Sequence, residues 1–501
     1  MGNAAFLPIA PEVVLLVGAL LVLMAAVVFE RPRPEWMIVA GLTLIAAAAL
    51  AVVQWQHLDG VEAGGELFFT SRGSSAFDSA MVVLDRYSAF AGVVLFTLGL
   101  AALFASYELV RTLGTRGAEF VSLVLLATAG LHIMAMAANL VLLFLGLETA
   151  SIAFYIMAAF TRDRISADEA GVKYFLLGSL ASAIFIYGVA FAFAATGSTS
   201  IYGRGGIREF FQDTLLSEPG VALIAIALMI VGLAFKVSAA PFHQWAPDVY
   251  QGAPGGAVGF MAAGVKVAGF AAFGRILIGA FPAHIDTWAP AIAVVAGVSM
   301  IVGTLLAAVQ TDVKRLLAYS GVAHSGYILT ALTAGAVGVG GMWFYVATYA
   351  FMLLGAFTVS SVVTGSRRGG APFDAFAGLG SRSPELAWTM AVLMLGLGGI
   401  PFTAGFAGKV AVFVAAADAD YLWLVVLGLM TTVVGLFFYL RVIATMFMQA
   451  RVPAEAPGTA TADPEPTTSG RVVLALAVSV TLIFGVVPWP LLDIARRALP
   501  L

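Results

Sequence analysis

The chain has 501 residues, of which 61% are hydrophobic and 11% charged, and its mean hydropathy is +1.00. Soluble domains carry about 25% charged residues. A soluble enzyme and a disordered scaffold are therefore excluded, and a net charge of −3 leaves no basic stripe for a nucleic acid. Cysteine is absent, which removes disulfides, thiolate metal sites and cysteine-held iron–sulfur clusters from this chain.

A membrane-crossing helix needs ~20 apolar residues, and such runs recur along the whole sequence. Between turn and charge clusters they predict fourteen helices, at about 9–29, 37–55, 79–104, 119–137, 139–160, 169–195, 219–237, 254–281, 289–310, 315–334, 342–364, 385–413, 421–447 and 472–491. The expected fold is an all-α polytopic membrane protein. The opening stretch, Met1 to Glu12, has no Lys or Arg before the first run. It lacks the basic region of a signal peptide and is expected to stay in the mature protein. Residues 57–78 read as an outer loop or short hairpin, and the shortest connections fall near Ala138 and Asp312. The stretch of about 450–470, rich in Pro, Ala and Thr, cannot bury a core. It is expected to be a solvated cytoplasmic linker.

Orientation follows from the basic residues. Loops after odd-numbered runs hold Arg31, Arg33, Arg111, Arg116, Arg162, Arg164, Lys314, Arg315, Arg367, Arg368, Arg382, Arg451 and Arg471, thirteen in all. Loops after even-numbered runs hold three, Arg72, Arg204 and Arg208. Positive charge stays in the cytoplasm, so both termini are expected outside, with Arg496 and Arg497 the exception.

Seven basic residues remain inside runs: Arg86, Lys173, Lys236, Lys266, Arg275, Lys409 and Arg441. Glu148 is read as the one acid well inside. A charge at the bilayer centre costs ~2.5–3.5 kcal/mol on insertion scales, so each is a candidate for function. Ordinary roles compete. Arg86 follows Asp85 and suits a local ion pair, Arg441 can snorkel to the cytoplasmic surface, and Arg275 lies in the outer third of its run. Lys173 has Glu169 four residues earlier, and that pair can simply close a helix end.

Lys236, Lys266, Lys409 and Glu148 are harder to explain by anchoring. Lys266 lies about twelve residues from either end of its run. Lys236 precedes Pro241 and Pro247, and Lys409 follows Pro401, Gly405 and Gly408. Proline inside a membrane helix frees carbonyls, and broken helices line cavities or ion paths. Desolvation brings buried amines and carboxyls within reach of neutral pH. Two unit charges ~8–10 Å apart couple by ~1.7–2 kcal/mol at an effective dielectric of ~20. A row of such groups is a proton wire with switches. His324 is placed to relay protons between lysines, while His132 and His243 are weaker candidates. No histidine pair has metal-ligand spacing and no strand-borne glycine fingerprint marks a nucleotide site, so neither metal nor nucleotide is expected.

Two five-helix blocks can be drawn, at 119–281 and 289–447, each with a proline-interrupted helix near a lysine. Five is odd, so the second block enters from the opposite face, an inverted repeat. Residues 1–118 would supply three opening helices, 448–471 the linker and 472–501 a closing helix.

The motifs FLGLE with Glu148, EAGVKYFLLGSLASA around Lys173, GLAFKVSAAPFHQWAPDVYQGAP around Lys236 and FMAAGVK with Lys266 make the chain recognisable. QTDVKRLLAYSGVAHSGY with His324, PFTAGFAGK with Lys409 and FYLRV with Arg441 complete the set. The chain resembles the antiporter-like membrane subunits of respiratory complex I, most closely the subunit N group, from about residue 80 to 450. The resemblance implies that Glu148 and Lys236 form a coupled pair, with Lys266 central and Lys409 terminal on a hydrophilic axis. His324 would lie between the blocks, and the seventh and twelfth helices would be discontinuous. It implies a membrane-arm subunit of the bacterial plasma membrane, pumping protons outward with redox energy from NADH oxidation by quinone. Flavin, iron–sulfur clusters and quinone would then sit in partner subunits, and no cofactor on this chain. Relatives in the L group carry a further lateral helix, and those in the M group usually have glutamate where Lys409 stands. A subunit of a multisubunit cation/proton antiporter or of a membrane-bound hydrogenase is the alternative. One departure stands out: after GAP the family commonly has a second proline, whereas this chain has Gly255 and Gly256.

Overall fold

The computed structural model describes residues 6–28, 35–61, 64–69, 71–72, 78–161, 164–213, 220–365, 370–450 and 463–501. Most of the expected linker, residues 451–462, lies outside them, as do Arg31, Arg33, Arg162, Arg367, Arg368 and Arg451.

Helices α1 (Ala10–Val28) and α2 (Trp36–His57) open the fold. Two short antiparallel ladders follow, β1 (Gly65–Phe68) with β4 (Val82–Asp85), and inside them β2 (Ser71–Arg72) with β3 (Asp78–Ser79). The expected third helix therefore starts later than residue 79. Its first residues are taken by β4, and α3 (Arg86–Ala105) begins where Asp85 accepts from the Ser88 N–H and the Ser88 hydroxyl receives the Asp85 N–H. That reciprocal cap satisfies two otherwise orphaned amides. Among the described residues the fold is thus helical with one small β-hairpin.

Next come α4 (Tyr107–Leu113), α5 (Gly117–Met136), α6 (Leu140–Ala158), α7 (Ile165–Thr196) and the short α8 (Ile207–Asp213). The tight turn at Ala138 is held by Asn139, whose side chain accepts from the Val141 N–H. Helix α9 (Gly220–Lys236) stops at Lys236 and the chain resumes as α10 (Trp245–Gly252). Helix α11 (Gly255–Phe273) continues as a π-helical stretch over Gly274–Ala280. Its start at Gly255 answers the missing proline. A Cβ there would lie 2.4 Å from Ser361 Oγ, so glycine lets α11 begin against the Ser361 side chain.

The second half consists of α12 (Ile285–Ala308), α13 (Val313–Leu332), α14 (Val339–Thr364), the single turn α15 (Leu379–Arg382), α16 (Pro384–Gly398), α17 (Ala404–Asp418), α18 (Leu422–Met448), α19 (Thr468–Val486) and α20 (Trp489–Arg497). Asp312 caps α13 by accepting from the Arg315 N–H, and it also accepts from the Ala371 N–H at 2.5 Å. One consequence is hidden in the sequence: Lys314, expected in a cytoplasmic loop, is fully buried at the start of α13.

Eleven helices among the described residues are long and apolar enough to cross a membrane, and α9 and α16 are shorter apolar helices. The interior is apolar, as in a soluble protein, and much of the outer surface is apolar as well. Every residue of α11 is buried and α14 is nearly so, while α1, α18 and α19 present Leu20, Leu21, Val433, Phe437 and Ile483 outward. Contiguous apolar surface on that scale marks faces that meet lipid or neighbouring membrane proteins.

Candidate functional site

Charge inside this bundle collects where helices break. Helix α9 ends at Lys236, and the turn before α10 contains Ser238 at φ 58°. The carbonyls freed there are reused. Trp245 Nε1 donates to the Phe235 carbonyl at 3.0 Å, and the Ala240 N–H donates to Ser299 Oγ at 2.9 Å. Lys236 Nζ donates to Ser151 Oγ on α6 at 2.7 Å. Glu148 stands one turn earlier on α6 and accepts a hydrogen bond from Ser182 on α7. Glu148 and Lys236 are therefore neighbours across Ser151 rather than a contact ion pair, and Glu148 is only part-buried.

Lys266 comes from the middle of α11. Its amine donates to the Val237 carbonyl at 2.6 Å, to the Gly321 carbonyl at 2.8 Å and to the Ser325 hydroxyl. All three hydrogens of an ammonium are thus used. Gly321 borders this site: a Cβ there would lie 3.2 Å from the Tyr349 hydroxyl, a tight contact, and 3.5 Å from Lys266 Cε, an ordinary one.

His324 follows on α13. Its Nδ1 meets the Tyr345 hydroxyl at 2.9 Å and its Nε2 the Tyr439 hydroxyl at 3.1 Å. Tyr349 stacks on the ring at 4.6 Å, and Tyr439 is hydrogen-bonded to Ser320. Beyond it lies the second break. Helix α16 ends at Gly398, and Gly399 and Phe402 take positive φ before α17 starts. Lys409 Nζ donates to the Gly398 carbonyl at 3.1 Å and sits 4.7 Å over the Tyr327 ring. Both breaks thus present the carbonyl end of a half-helix to a lysine. A partial negative charge at that end favours a cation by ~0.3–1 kcal/mol or more when shielded from water.

Lys173 lies apart from this row. It pairs with Glu169 at 2.6 Å, as its spacing predicts, and with Asp248 of α10 at 2.9 Å, while Arg315 pairs with Asp248 at 2.6 Å. The cluster is half-exposed and borders a polar cavity of about 240 Å³.

Three further expectations, those for Arg86, Arg275 and Glu148, need correction. Arg86 pairs with Asp59 at 3.0 Å, not with Asp85. Asp85 instead forms a bidentate pair with Arg275, at 2.5 and 2.6 Å, and both side chains are fully buried. Arg275 is therefore a core residue held by a two-point bond and not a surface anchor. Arg441 donates to the Gln310 carbonyl at 3.2 Å and lies 4.4 Å over the Phe373 ring. Glu148 is also not the sole interior acid, because Glu12 is buried against His132. Sequence reasoning misses the tyrosines around His324 and the serines beside Lys236 and Lys266. A hydroxyl costs little inside an apolar run, so such residues leave no mark in a charge count.

A row of buried amines and one imidazole, threaded through two broken helices of a polytopic bundle, defines a membrane protein built to move ions. The chain belongs to the NADH:quinone oxidoreductase/Mrp antiporter transmembrane family, whose model matches residues 137–435. It is 39% identical to NADH-quinone oxidoreductase subunit N 1 of Solibacter usitatus over 491 residues, covering 97% of this chain and 96% of that one. Subunit N of Paramagnetospirillum magneticum is 36% identical over 494 residues, 98% and 96% of the two chains. A chain in the structure of respiratory complex I from Thermus thermophilus with bound aureothin superposes with a TM-score of 0.75 at 32% identity, covering 96% of this chain and 98% of that one. The Mrp complex from Dietzia sp. shares the fold, with a TM-score of 0.83 at 21% identity over 99% and 97% of the chains.

Proposed function

We propose that this chain is a proton-translocating membrane-arm subunit of a bacterial NADH–quinone oxidoreductase. Protons move outward through Glu148, Lys236, Lys266, His324 and Lys409 while electrons pass through other subunits. The observation that carries the reading is the paired geometry of the breaks: Lys266 on the Val237 carbonyl and Lys409 on the Gly398 carbonyl. Each amine has fixed acceptors for its charged form, and the next group along can change protonation under its field. The matching breaks support two inverted five-helix blocks. Eleven long helices, α13 and the two broken pairs α9/α10 and α16/α17 would make fourteen crossings, with both termini outside on the charge count.

Lys173 belongs to the cytoplasmic mouth of this route, where its cluster and the adjoining cavity can pass protons toward Glu148 and Lys236. Moving one charge against 100 mV costs ~2.3 kcal/mol. A chain without cysteine or nucleotide fingerprint has no redox chemistry of its own, so that energy comes from partners holding flavin, iron–sulfur clusters and quinone.

The test is purification through a C-terminal tag in mild detergent, followed by reconstitution into vesicles. NADH–quinone reduction coupled to sodium-independent proton uptake is the expected result. An eluate free of redox centres whose transport needs sodium would overturn the reading in favour of an antiporter.

A further inference from the structure

Glu12 and His132 lie outside the lysine row, and nothing in the translocation path uses them. Glu12 stands in the first turn of α1 and His132 in the last two turns of α5, both buried. His132 Nδ1 is hydrogen-bonded to Glu12 Oε1, and Nε2 meets the Ser88 carbonyl at 3.0 Å. A carbonyl can only accept, so Nε2 carries a hydrogen in every state. The exchangeable proton is confined to the line between Nδ1 and Oε1. The other carboxylate oxygen, Oε2, is buried with no hydrogen-bond partner among the described residues. A purely structural carboxylate would be expected to have both oxygens satisfied.

The pair is wired to the helix that bears Lys266. Ser88, which holds His132, caps α3 together with Asp85. Asp85 grips Arg275, and Arg275 Nε donates at 2.7 Å to the carbonyl of Ala135, three residues beyond His132. Arg275 follows Lys266 by nine residues on one continuous helix, about 13 Å along the axis. Asp85, at the cap of α3, and Arg275, in the π-helical continuation of α11, are the charged groups that flank the pair from those sides. On α6 the acid Glu148 turns to Ser182, and α2 contributes Gln54, which binds the Leu7 and Pro8 carbonyls.

We propose that Glu12 and His132 form a proton-holding site on the hairpin side of the bundle, a station between the lysine row and the outer water. Loading adds one proton between Nδ1 of a neutral imidazole and the Glu12 carboxylate. Release gives that proton, received from the lysine row, to the outer water and restores the neutral ring and the carboxylate. The site rests on the proton-translocating reading above, whose failure would show separately as a wild-type complex that oxidises NADH without moving protons.

The test is Glu12→Gln in the assembled complex in vesicles, with protons moved per NADH measured against outside pH. The expected result is an unchanged NADH oxidation rate with loss of this subunit's share of the protons, restored by Glu12→Asp. A full proton ratio in Glu12→Gln at every pH would overturn the site. Where Glu12→Gln blocks assembly, the wild-type complex carrying 15N-histidine in this subunit decides. A His132 Nδ1 resonance that titrates supports the site, and one fixed across the pH range overturns it.

Discussion

Lys266 Nζ donates at 2.6 Å to the carbonyl of Val237, the residue that follows Lys236. The break that ends α9 therefore serves two lysines at once. Its last residue carries one amine, and the next carbonyl holds the other. A shift in this turn moves both groups together, so the protonation of one is felt by the other through geometry as well as charge. The second break repeats half of the device, with Lys409 on Gly398.

Ser151 is the sole hydrogen-bond acceptor described for Lys236, at 2.7 Å. A hydrogen bond to a charged group contributes ~1.5–3 kcal/mol. Ser151→Ala is expected to slow proton pumping about tenfold or more, since ~1.4 kcal/mol is a factor of ten. Assembly and NADH oxidation with an uncoupler present should be preserved. Pumping assays on reconstituted complex check this.

His324 depends on two tyrosine hydroxyls, from Tyr345 and Tyr439. The double variant Tyr345→Phe with Tyr439→Phe keeps shape and removes both partners. Each lost bond to an interior group costs ~1–3 kcal/mol. We expect this subunit's share of the protons moved per NADH to fall by at least about tenfold in the double variant and by less in either single one. Equal pumping in wild type and double variant would remove His324 from the path.

Legibility in the sequence depends on the cost of each residue type in an apolar run. Lys236, Lys266, Lys409 and Glu148 stand out because a charge in lipid demands a reason, and Pro241, Pro247 and Pro401 locate both breaks. The partners are not legible. Ser151, Ser325 and the tyrosines are cheap in such runs, and their pairing depends on crossings that no local pattern reveals. Asp85 reads as a neighbour for Arg86, because contacts 190 residues apart, like that with Arg275, have no signature in spacing. Strand β4 reads as helix because VVLD carries three apolar residues just ahead of the apolar run of α3. Lys314 reads as a loop residue because TDVKR carries three charges, yet the tight cap at Asp312 starts the helix early and buries it.

The Asp85–Arg275 pair makes a stability prediction of opposite kind to the pumping ones. Removing one partner of a buried ion pair costs ~3–5 kcal/mol. Arg275→Met alone is expected to lower the melting temperature or the yield of the subunit sharply. Adding Asp85→Leu should recover part of the loss and not all, because Asp85 also caps α3 and accepts from the Leu501 N–H. Thermal unfolding in detergent distinguishes the two.

Lys173 is half-exposed within its cluster with Glu169, Asp248 and Arg315. Exposed ion pairs contribute ~0–1 kcal/mol and weaken with salt. Lys173→Gln is expected to leave assembly intact and to slow pumping only about two- to five-fold, with the difference from wild type shrinking as ionic strength rises. A complete loss of this subunit's share of the protons would place Lys173 on the path itself.

The most direct measurement is the number of protons moved per NADH oxidised by complex reconstituted with Lys266→Met in this chain. Methionine fills the volume of the lysine stem and cannot hold a proton. Loss of this subunit's share of the protons, with the complex assembled and NADH still oxidised, is the expected result. A proton ratio equal to that of wild type would contradict the lysine path.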